Sequence, residues 1–288
     1  MEQVYLNGEY KPLNEACVPV LDRGFLFGDG VYEVIPVYSG KPFRVDQHLD
    51  RLQHSLDAIR LRNPMTREQW IGVIDGLIRR NTGDGDAAVY LQITRGVMEK
   101  RDHGFNGSLE PTVLLTCQPM NYPLQQSDTA GGRAITLEDS RWQDCHIKST
   151  NLLPNVLLRQ QALDAGADEA ILIRDGRAIE GSASNLFIVK DEVIKTPPRQ
   201  RCMLGGITRD LILELCNENH LLAREIDISE DELHDADEIW MTSSTREILP
   251  ITTLNQHKVG KGLTGPVWAE VIRLYQDYKQ QVMRGRDE

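Results

Sequence analysis

An α+β chain of two domains is what the sequence predicts, on three observations. Strand-like and helix-like stretches follow one another without regular βαβ units, and no Gly-x-Gly-x-x-Gly follows any strand. The length, 288 residues, is roughly twice the ~100–150 of a usual domain. Between Gln118 and Gly132 the composition shifts to Pro, Gln, Ser, Asp and Gly and apolar periodicity vanishes, the pattern of an interdomain linker. We therefore expect a small N-terminal domain over residues 1–120, a linker over 121–132, and a larger domain over 133–288.

The elements can be justified in order. Val4, Tyr5, Leu6 and Tyr10 flank the turn signal Asn7-Gly8, a short hairpin. Val31–Tyr38, the turn Ser39-Gly40 and a return strand through Phe43 and Val45 form a second. From Asp46 to about Ile59, Leu49, Leu52, Leu56 and Ile59 recur at three- and four-residue steps, one buried helical stripe. The capping-box pattern Thr66-x-x-Gln69 opens a helix that turns Trp70, Val73, Ile74, Leu77 and Ile78 inward. Ala87–Thr94 and Thr112–Cys117 read as strands. Beyond the linker come a strand over Arg133–Glu138, a helix over Leu152–Ala165, and a strand over Ala170–Arg174 ending in the turn Asp175-Gly176. Further strands are expected over Asn185–Lys190 and Glu238–Thr242, with a helix over Thr208–Asn219 between them. Ser229-x-x-Glu232 is another capping box, and Pro266 suits the first turn of the last helix.

Composition removes several function classes. Apolar residues make up 40% of the chain, a globular proportion once the 23 glycines are added. A net charge of −11 disfavours non-specific binding to nucleic acid or to an anionic membrane, both of which need a basic face. The five cysteines are far apart and form no Cys-x-x-Cys pair, so neither a disulfide framework nor a metal site is expected. They read as reduced thiols of a cytoplasmic protein. No basic segment precedes an apolar run near Met1, and no stretch of ~18 apolar residues occurs, so secretion and membrane spanning are not expected.

Four places could carry chemistry. Of nine lysines, most sit in turns or charged surroundings, whereas Lys148 closes the segment from Arg141 and directly precedes Ser149-Thr150-Asn151 and a helix. A partly desolvated lysine at such a junction suits a Schiff-base nucleophile, although a surface lysine beside a cap has the same local pattern. Glu180 precedes Gly181-Ser182-Ala183-Ser184-Asn185, small residues that let a flat ligand approach while the carboxylate holds a ring nitrogen; a polar hairpin turn explains the stretch equally well. Gly205-Gly206-Ile207-Thr208 at a helix start and Thr242-Ser243-Ser244-Thr245 after a strand offer N–H groups and hydroxyls to an anion such as phosphate.

In combination and order these motifs resemble the class IV (fold type IV) pyridoxal-phosphate aminotransferases. The match runs from Asp22-Arg23-Gly24 and Gly28-Asp29-Gly30-Val31-Tyr32-Glu33, through His48-x-x-Arg51-Leu52 and the Lys148 segment, to Glu180–Asn185 and Gly205–Arg209, over roughly residues 3–260. The resemblance implies a smaller N-terminal domain and a larger C-terminal one with a barrel-like sheet. It also implies pyridoxal 5'-phosphate (PLP) as cofactor, with Lys148 as the catalytic lysine, Glu180 on the pyridine nitrogen, and Arg51, Ile207, Thr208 and Ser244 on the phosphate. Within the family, Tyr32, the loop Arg101-Asp102-His103 and Arg141-Trp142 are most similar to the D-amino-acid aminotransferases, where these positions imply that Tyr32, Arg101 and His103 grip the substrate α-carboxylate. A guanidinium with imidazole and phenol donors suits that task chemically.

The resemblance implies transfer of the amino group of a D-amino acid, such as D-alanine or D-glutamate, to a 2-keto acid, by a homodimer. The (R)-amine transaminases, the branched-chain L-amino-acid transaminases and aminodeoxychorismate lyase share the fold and stand as alternatives, as does a non-catalytic binding protein. Two departures stand out: the spacing from Thr94-Arg95-Gly96 to Arg101 is about one residue longer than in the D-enzymes, and Arg246 replaces a small residue. Arg246 would either favour acidic substrates at the cofactor rim or point to solvent and pair with Glu247.

Overall fold

The computed structural model describes residues 2–105, 107, 109–122 and 131–284, so most of the expected linker, residues 123–130, lies outside the described residues. The chain divides into two compact units. Residues 2–122 belong to the first, and so does Ile147–Leu152, the segment holding Lys148; residues 131–146 and 153–284 form the second.

The first unit contains β1 (Gln3–Leu6), β2 (Glu9–Pro12), α1 (Arg23–Phe27), β3 (Gly30–Tyr38), β4 (Lys41–Pro42), α2 (Val45–Ala58), α3 (Arg67–Asn81), β5 (Ala87–Thr94) and β6 (Thr112–Pro119). Its sheet runs β2-β1-β6-β5-β3-β4 with every neighbouring pair antiparallel. Alternation along β5 buries Ala87, Val89, Leu91 and Ile93. These pack with Leu49, Leu52 and Leu56 of α2 and Trp70, Ile74 and Leu77 of α3 in one core. The helix cap at Thr66 is a full capping box, as the sequence predicts. The return strand is shorter than expected: Arg44 turns into the left-handed region at φ 50°, so Val45 opens α2 instead of extending β4. α1 was not expected; it is one turn of helix started by Asp22, whose side chain accepts from the Gly24 N–H.

The second unit contains β7 (Gly132–Glu138), α4 (Leu153–Asp164), β8 (Glu169–Arg174), β9 (Arg177–Gly181), β10 (Asn185–Lys190), β11 (Val193–Thr196), α5 (Ile207–Glu218), β12 (Ala223–Glu225), β13 (Ile228–Ser229), α6 (Glu230–His234), β14 (Glu238–Ser243), β15 (Glu247–Leu254), β16 (His257–Lys258) and α7 (Pro266–Lys279). Six strands form a closed ring, β10-β14-β15-β7-β8-β9, because β9 pairs back onto β10. A barrel-like sheet in the larger domain is what the resemblance implies. The closing contact is a single register position, Glu180 opposite Asn185. Ile171, Ile173, Leu186, Ile188, Ile239, Met241 and Ile251 fill the barrel core. β15 went unread in the sequence, since Pro250 in its middle cannot donate to a ladder and masks the strand pattern. The β8–β9 hairpin turns through Asp175 and Gly176, both at positive φ (51° and 72°), the geometry that its sequence signals.

Candidate active site

In the first unit, Lys148 is fixed by its backbone. Its carbonyl accepts from the Tyr32 N–H at 2.9 Å and its N–H donates to Ser55 Oγ at 3.2 Å. Ser149 bridges to Val31, and the Thr150 N–H donates to the Gly30 carbonyl at 2.9 Å. The ammonium lies 4.2 Å from the centroid of the Tyr32 ring, within cation–π range. Tyr32 also meets Tyr90 across the sheet, with centroids 5.7 Å apart.

Successive side chains on a strand point to opposite faces, so Glu33, next to Tyr32, turns under α2. It is fully buried. Arg51 grips it with two N–H groups, Nε to Oε1 at 2.8 Å and Nη2 to Oε2 at 2.7 Å, and His48 Nδ1 lies 2.8 Å from Oε2. Burial pushes the Glu33 carboxyl up, but the Arg51 charge and the hydrogen bonds from Arg51 and His48 outweigh it and hold it at about 2. Burial drives His48 below its ordinary value, against the pull of Glu33. Arg51, expected at the phosphate, is thus anchored by an ionised carboxylate.

Arg101 and His103 lie on an exposed loop and gather on Phe27 of α1. The Arg101 guanidinium stands 5.1 Å from the Phe27 ring centroid, and the His103 ring centroid also lies 5.1 Å away. Among the described residues, neither forms a hydrogen bond with Tyr32 in this chain.

In the second unit, Glu180 sits at the barrel closure, 3% exposed. Arg141 Nη1 donates to its Oε1 at 2.6 Å, while the Leu204 N–H (3.1 Å) and Asn185 Nδ2 (3.2 Å) donate to Oε2. The rest of the Arg141 fork goes to Asp139, Nε to Oδ1 at 2.9 Å and Nη2 to Oδ2 at 3.0 Å, and Arg174 adds a second cation to Asp139 at 2.8 Å. Burial pushes the Glu180 carboxyl up to about 6; Arg141 pulls it down, and the Asp139 charge adds to the rise. The Arg141 guanidinium lies well above its ordinary range: burial works against its charge, and Asp139 and Glu180 overcome it.

Ile207 and Thr208 begin α5, whose N-cap, Gly206, supplies no side-chain cap. Helix-start N–H groups have no partner within the helix, which suits an anion. Gly206 must be glycine, because a Cβ there would lie 1.9 Å from Asn185 Oδ1. Asn185 therefore touches Glu180 on one side and the start of α5 on the other. Thr242 lies opposite Asn185 in the β10–β14 register and leads into Ser243 and Ser244. Its hydroxyl is buried without a hydrogen-bond partner.

The sequence reading missed Arg141, Asp139 and Asn185 as supports of Glu180, and Glu33 and His48 as supports of Arg51. Only the i, i+3 spacing of His48 and Arg51, one helix face, was a local signal for them. Arg246 does not pair with Glu247. It donates to the Asp168 carbonyl at 3.0 Å and lies 3.6 Å from the Glu169 carboxylate. Glu247 turns inward to Lys279 and Gln276. Among the described residues no group of three or more His, Cys, Asp or Glu is placed to hold a metal ion.

The family model described as amino-transferase class IV matches residues 30–254. A D-alanine aminotransferase of Bacillus licheniformis is 40% identical over 269 residues, 93% of this chain and 94% of that protein. A D-alanine aminotransferase of Listeria innocua is 38% identical, covering 98% and 96%. Among solved structures, the branched-chain amino acid aminotransferase of Escherichia coli superposes with a TM-score of 0.85 at 27% identity, covering 100% of this chain and 96% of that one. The T.th. branched-chain amino acid aminotransferase in complex with N-(5'-phosphopyridoxyl)-L-glutamate gives 0.88 at 27% identity, covering 99% and 95%. The chain belongs to the class IV aminotransferases.

Proposed function

We propose that this PLP-dependent aminotransferase moves the amino group of a D-amino acid, such as D-alanine or D-glutamate, to a 2-keto acid. The observation that carries the reading is the Lys148 amine, held over Tyr32 by backbone hydrogen bonds on both sides of the lysine. Likeness to D-alanine aminotransferases over nearly the whole chain supports the choice of D-substrates.

The donor set fits the cofactor. Glu180 is a buried carboxylate that receives one N–H from its arginine and suits a protonated ring nitrogen. The start of α5 and the unpartnered Thr242 hydroxyl suit a phosphate. When bound, PLP supplies an electron sink for the carbanion formed at the substrate Cα. Lys148 would hold the cofactor, and its amine is the group that would take up and return the proton at the substrate Cα. Ile207 and Thr208 offer N–H donors to the phosphate, Ser244 a hydroxyl and Arg51 a charge. Tyr32, Arg101 and His103 bind the α-carboxylate. We assign the enzyme to the cytoplasm, in keeping with its five free thiols, and to a homodimer; the domain boundaries are those expected above, except that Ile147–Leu152 belongs with the first unit. The exposed apolar side chains of Val18, Val20, Leu21, Phe25 and Val97 give a second copy a surface to cover.

Borohydride reduction of the PLP-loaded protein followed by peptide mapping is expected to label Lys148; label at Lys190 or Lys195 would remove the assignment. D-Alanine, L-alanine, D-glutamate, L-leucine and (R)-phenylethylamine offered in parallel then test the substrate class. Consumption of L-leucine with D-alanine ignored would overturn the D-specific reading and favour the branched-chain one.

A further inference from the structure

α1 links two things that its sequence does not connect. Its first residue, Arg23, is 3% exposed, and a buried guanidinium is costly unless its N–H groups are met. Arg23 Nε donates to Asp29 Oδ2 at 2.7 Å. Nη1 donates to the backbone carbonyls of Asp102 (2.7 Å) and Gly104 (3.2 Å), and Nη2 to that of His103 (2.9 Å). Three consecutive carbonyls of an exposed loop are thus tied to one buried cation.

The cation is itself anchored. Arg95 holds Asp29 from a second side, with Nε and Nη2 at 2.8 and 2.9 Å from its oxygens, and caps the carbonyls of Ile59 (2.7 Å) and Arg60 (3.2 Å) beyond α2. Burial favours the neutral Asp29 carboxyl, yet hydrogen bonds from Arg95 and Arg23 bring it below the ordinary range. The last residue of α1, Phe27, meets the rings and planes of His103 and Arg101, each 5.1 Å away. Among the described residues, the side chains of Arg101 and His103 form no hydrogen bond or ion pair. The backbone of residues 102–104, which carries His103 and directly follows Arg101, is held, and the donors of both side chains are left for another group.

We propose that Arg23 is a positioning residue for substrate recognition: through the carbonyls of residues 102–104 it sets the geometry in which Arg101 and His103 meet the carboxylate of a small amino acid. The inference rests on the carboxylate-binding role given above to those two residues. A loop held in advance spares the substrate the entropy of ordering it. The grip on a carboxylate is made in ground state and transition state alike, so its loss raises KM and leaves kcat.

The test uses PLP-loaded protein and D-alanine. Arg23→Gln is expected to raise KM about tenfold, equivalent to about 1.4 kcal/mol, with kcat within about twofold. Backbone amides of residues 101–105 are expected to exchange with deuterium about tenfold faster. Arg101→Ala should raise KM less in the Arg23→Gln background than in the wild type, since both act on one contact. Arg23→Lys keeps the charge beside Asp29 without the fork and is expected to shift KM and exchange in the same direction by less; it carries the test if Arg23→Gln does not fold. Unchanged exchange, a loss confined to kcat, or KM effects that simply multiply would overturn the proposal. An Arg101→Ala variant with unchanged KM would overturn the carboxylate-binding role itself, and this inference with it.

Discussion

Glu33 in the first unit and Glu180 in the second are both buried carboxylates, 0% and 3% exposed, and each faces an arginine. Glu33 is held at about 2 and Glu180 rises to about 6. Burial acts in the same direction on both, so the partners decide. Arg51 spends two N–H groups on the two oxygens of Glu33, and His48 adds a third contact. Arg141 spends one on Glu180 and divides the rest with Asp139, whose own negative charge opposes ionisation of Glu180. A bidentate pair is complete in itself, whereas a shared arginine leaves its carboxylate short of positive charge. The proposed role for Glu180, beside a protonated ring nitrogen, supplies that missing charge; Glu33 has no such need and serves to hold Arg51.

The largest effects should separate the two. Glu180→Gln is expected to slow the half-reaction with D-alanine about 10²–10³-fold, about 2.7–4 kcal/mol in the barrier, with little loss of stability. Stopped-flow absorbance of the bound cofactor measures the first and urea unfolding the second. Glu33→Gln should instead cost about 3 kcal/mol in urea, because Arg51 and a buried site lose their countercharge. If Glu180→Gln destabilised the fold while turnover stayed intact, the two carboxylates would have been assigned the wrong way round.

What the sequence disclosed of these two regions differs for physical reasons. α2 and α3 were legible because apolar periodicity and a capping box are local signals, and the turns at Asn7-Gly8, Ser39-Gly40 and Asp175-Gly176 because positive φ selects its residues. The barrel closure was not. Glu180 and Asn185 read locally as the two ends of a turn, and only the return of β9 to β10 makes that turn the seam of a ring; β15, interrupted by Pro250, hid another of its strands. Lys148 and Glu180 emerged as a motif, yet nothing near them in sequence disclosed that Arg174, brought in by β8, would share Asp139 with Arg141. Electrostatic balance depends on such long-range neighbours, so residue types can be read from sequence before their charge states can.

The pH dependence of stability sharpens the contrast, with opposite signs. Glu33, depressed to about 2 from an ordinary 4.5, contributes stability that is present above pH 4.5 and lost as pH falls through 2. Glu180, raised from 4.5 to about 6, favours the fold while protonated, and that contribution is lost as pH rises through 6. In urea titrations of PLP-free protein at pH 4, 5, 6 and 7, the stability of Glu180→Gln relative to wild type is therefore expected to climb across the window and level off above it. A flat difference would mean that Glu180 ionises at its ordinary value and that Arg141 compensates it fully.

The smallest effect is expected at a third arginine–carboxylate pair. Glu169 is 2% exposed, but the hydroxyls of Ser182 and Ser184 and the Ala170 N–H already meet its oxygens. Arg246 adds only a 3.6 Å contact from a side chain that is 38% exposed, where solvent screens the pair. Its charge is opposed by Glu169 and its N–H by the Asp168 carbonyl, so it is poorly placed to attract a second carboxylate on the substrate. Arg246→Ala should change stability by less than about 0.5 kcal/mol and the ratio of kcat/KM for D-glutamate over D-alanine by less than about twofold. A fall of tenfold or more in that ratio, with D-alanine turnover unchanged, would show that Arg246 leaves Glu169 when an acidic substrate binds, and would make it the specificity residue that its position in the sequence first suggested.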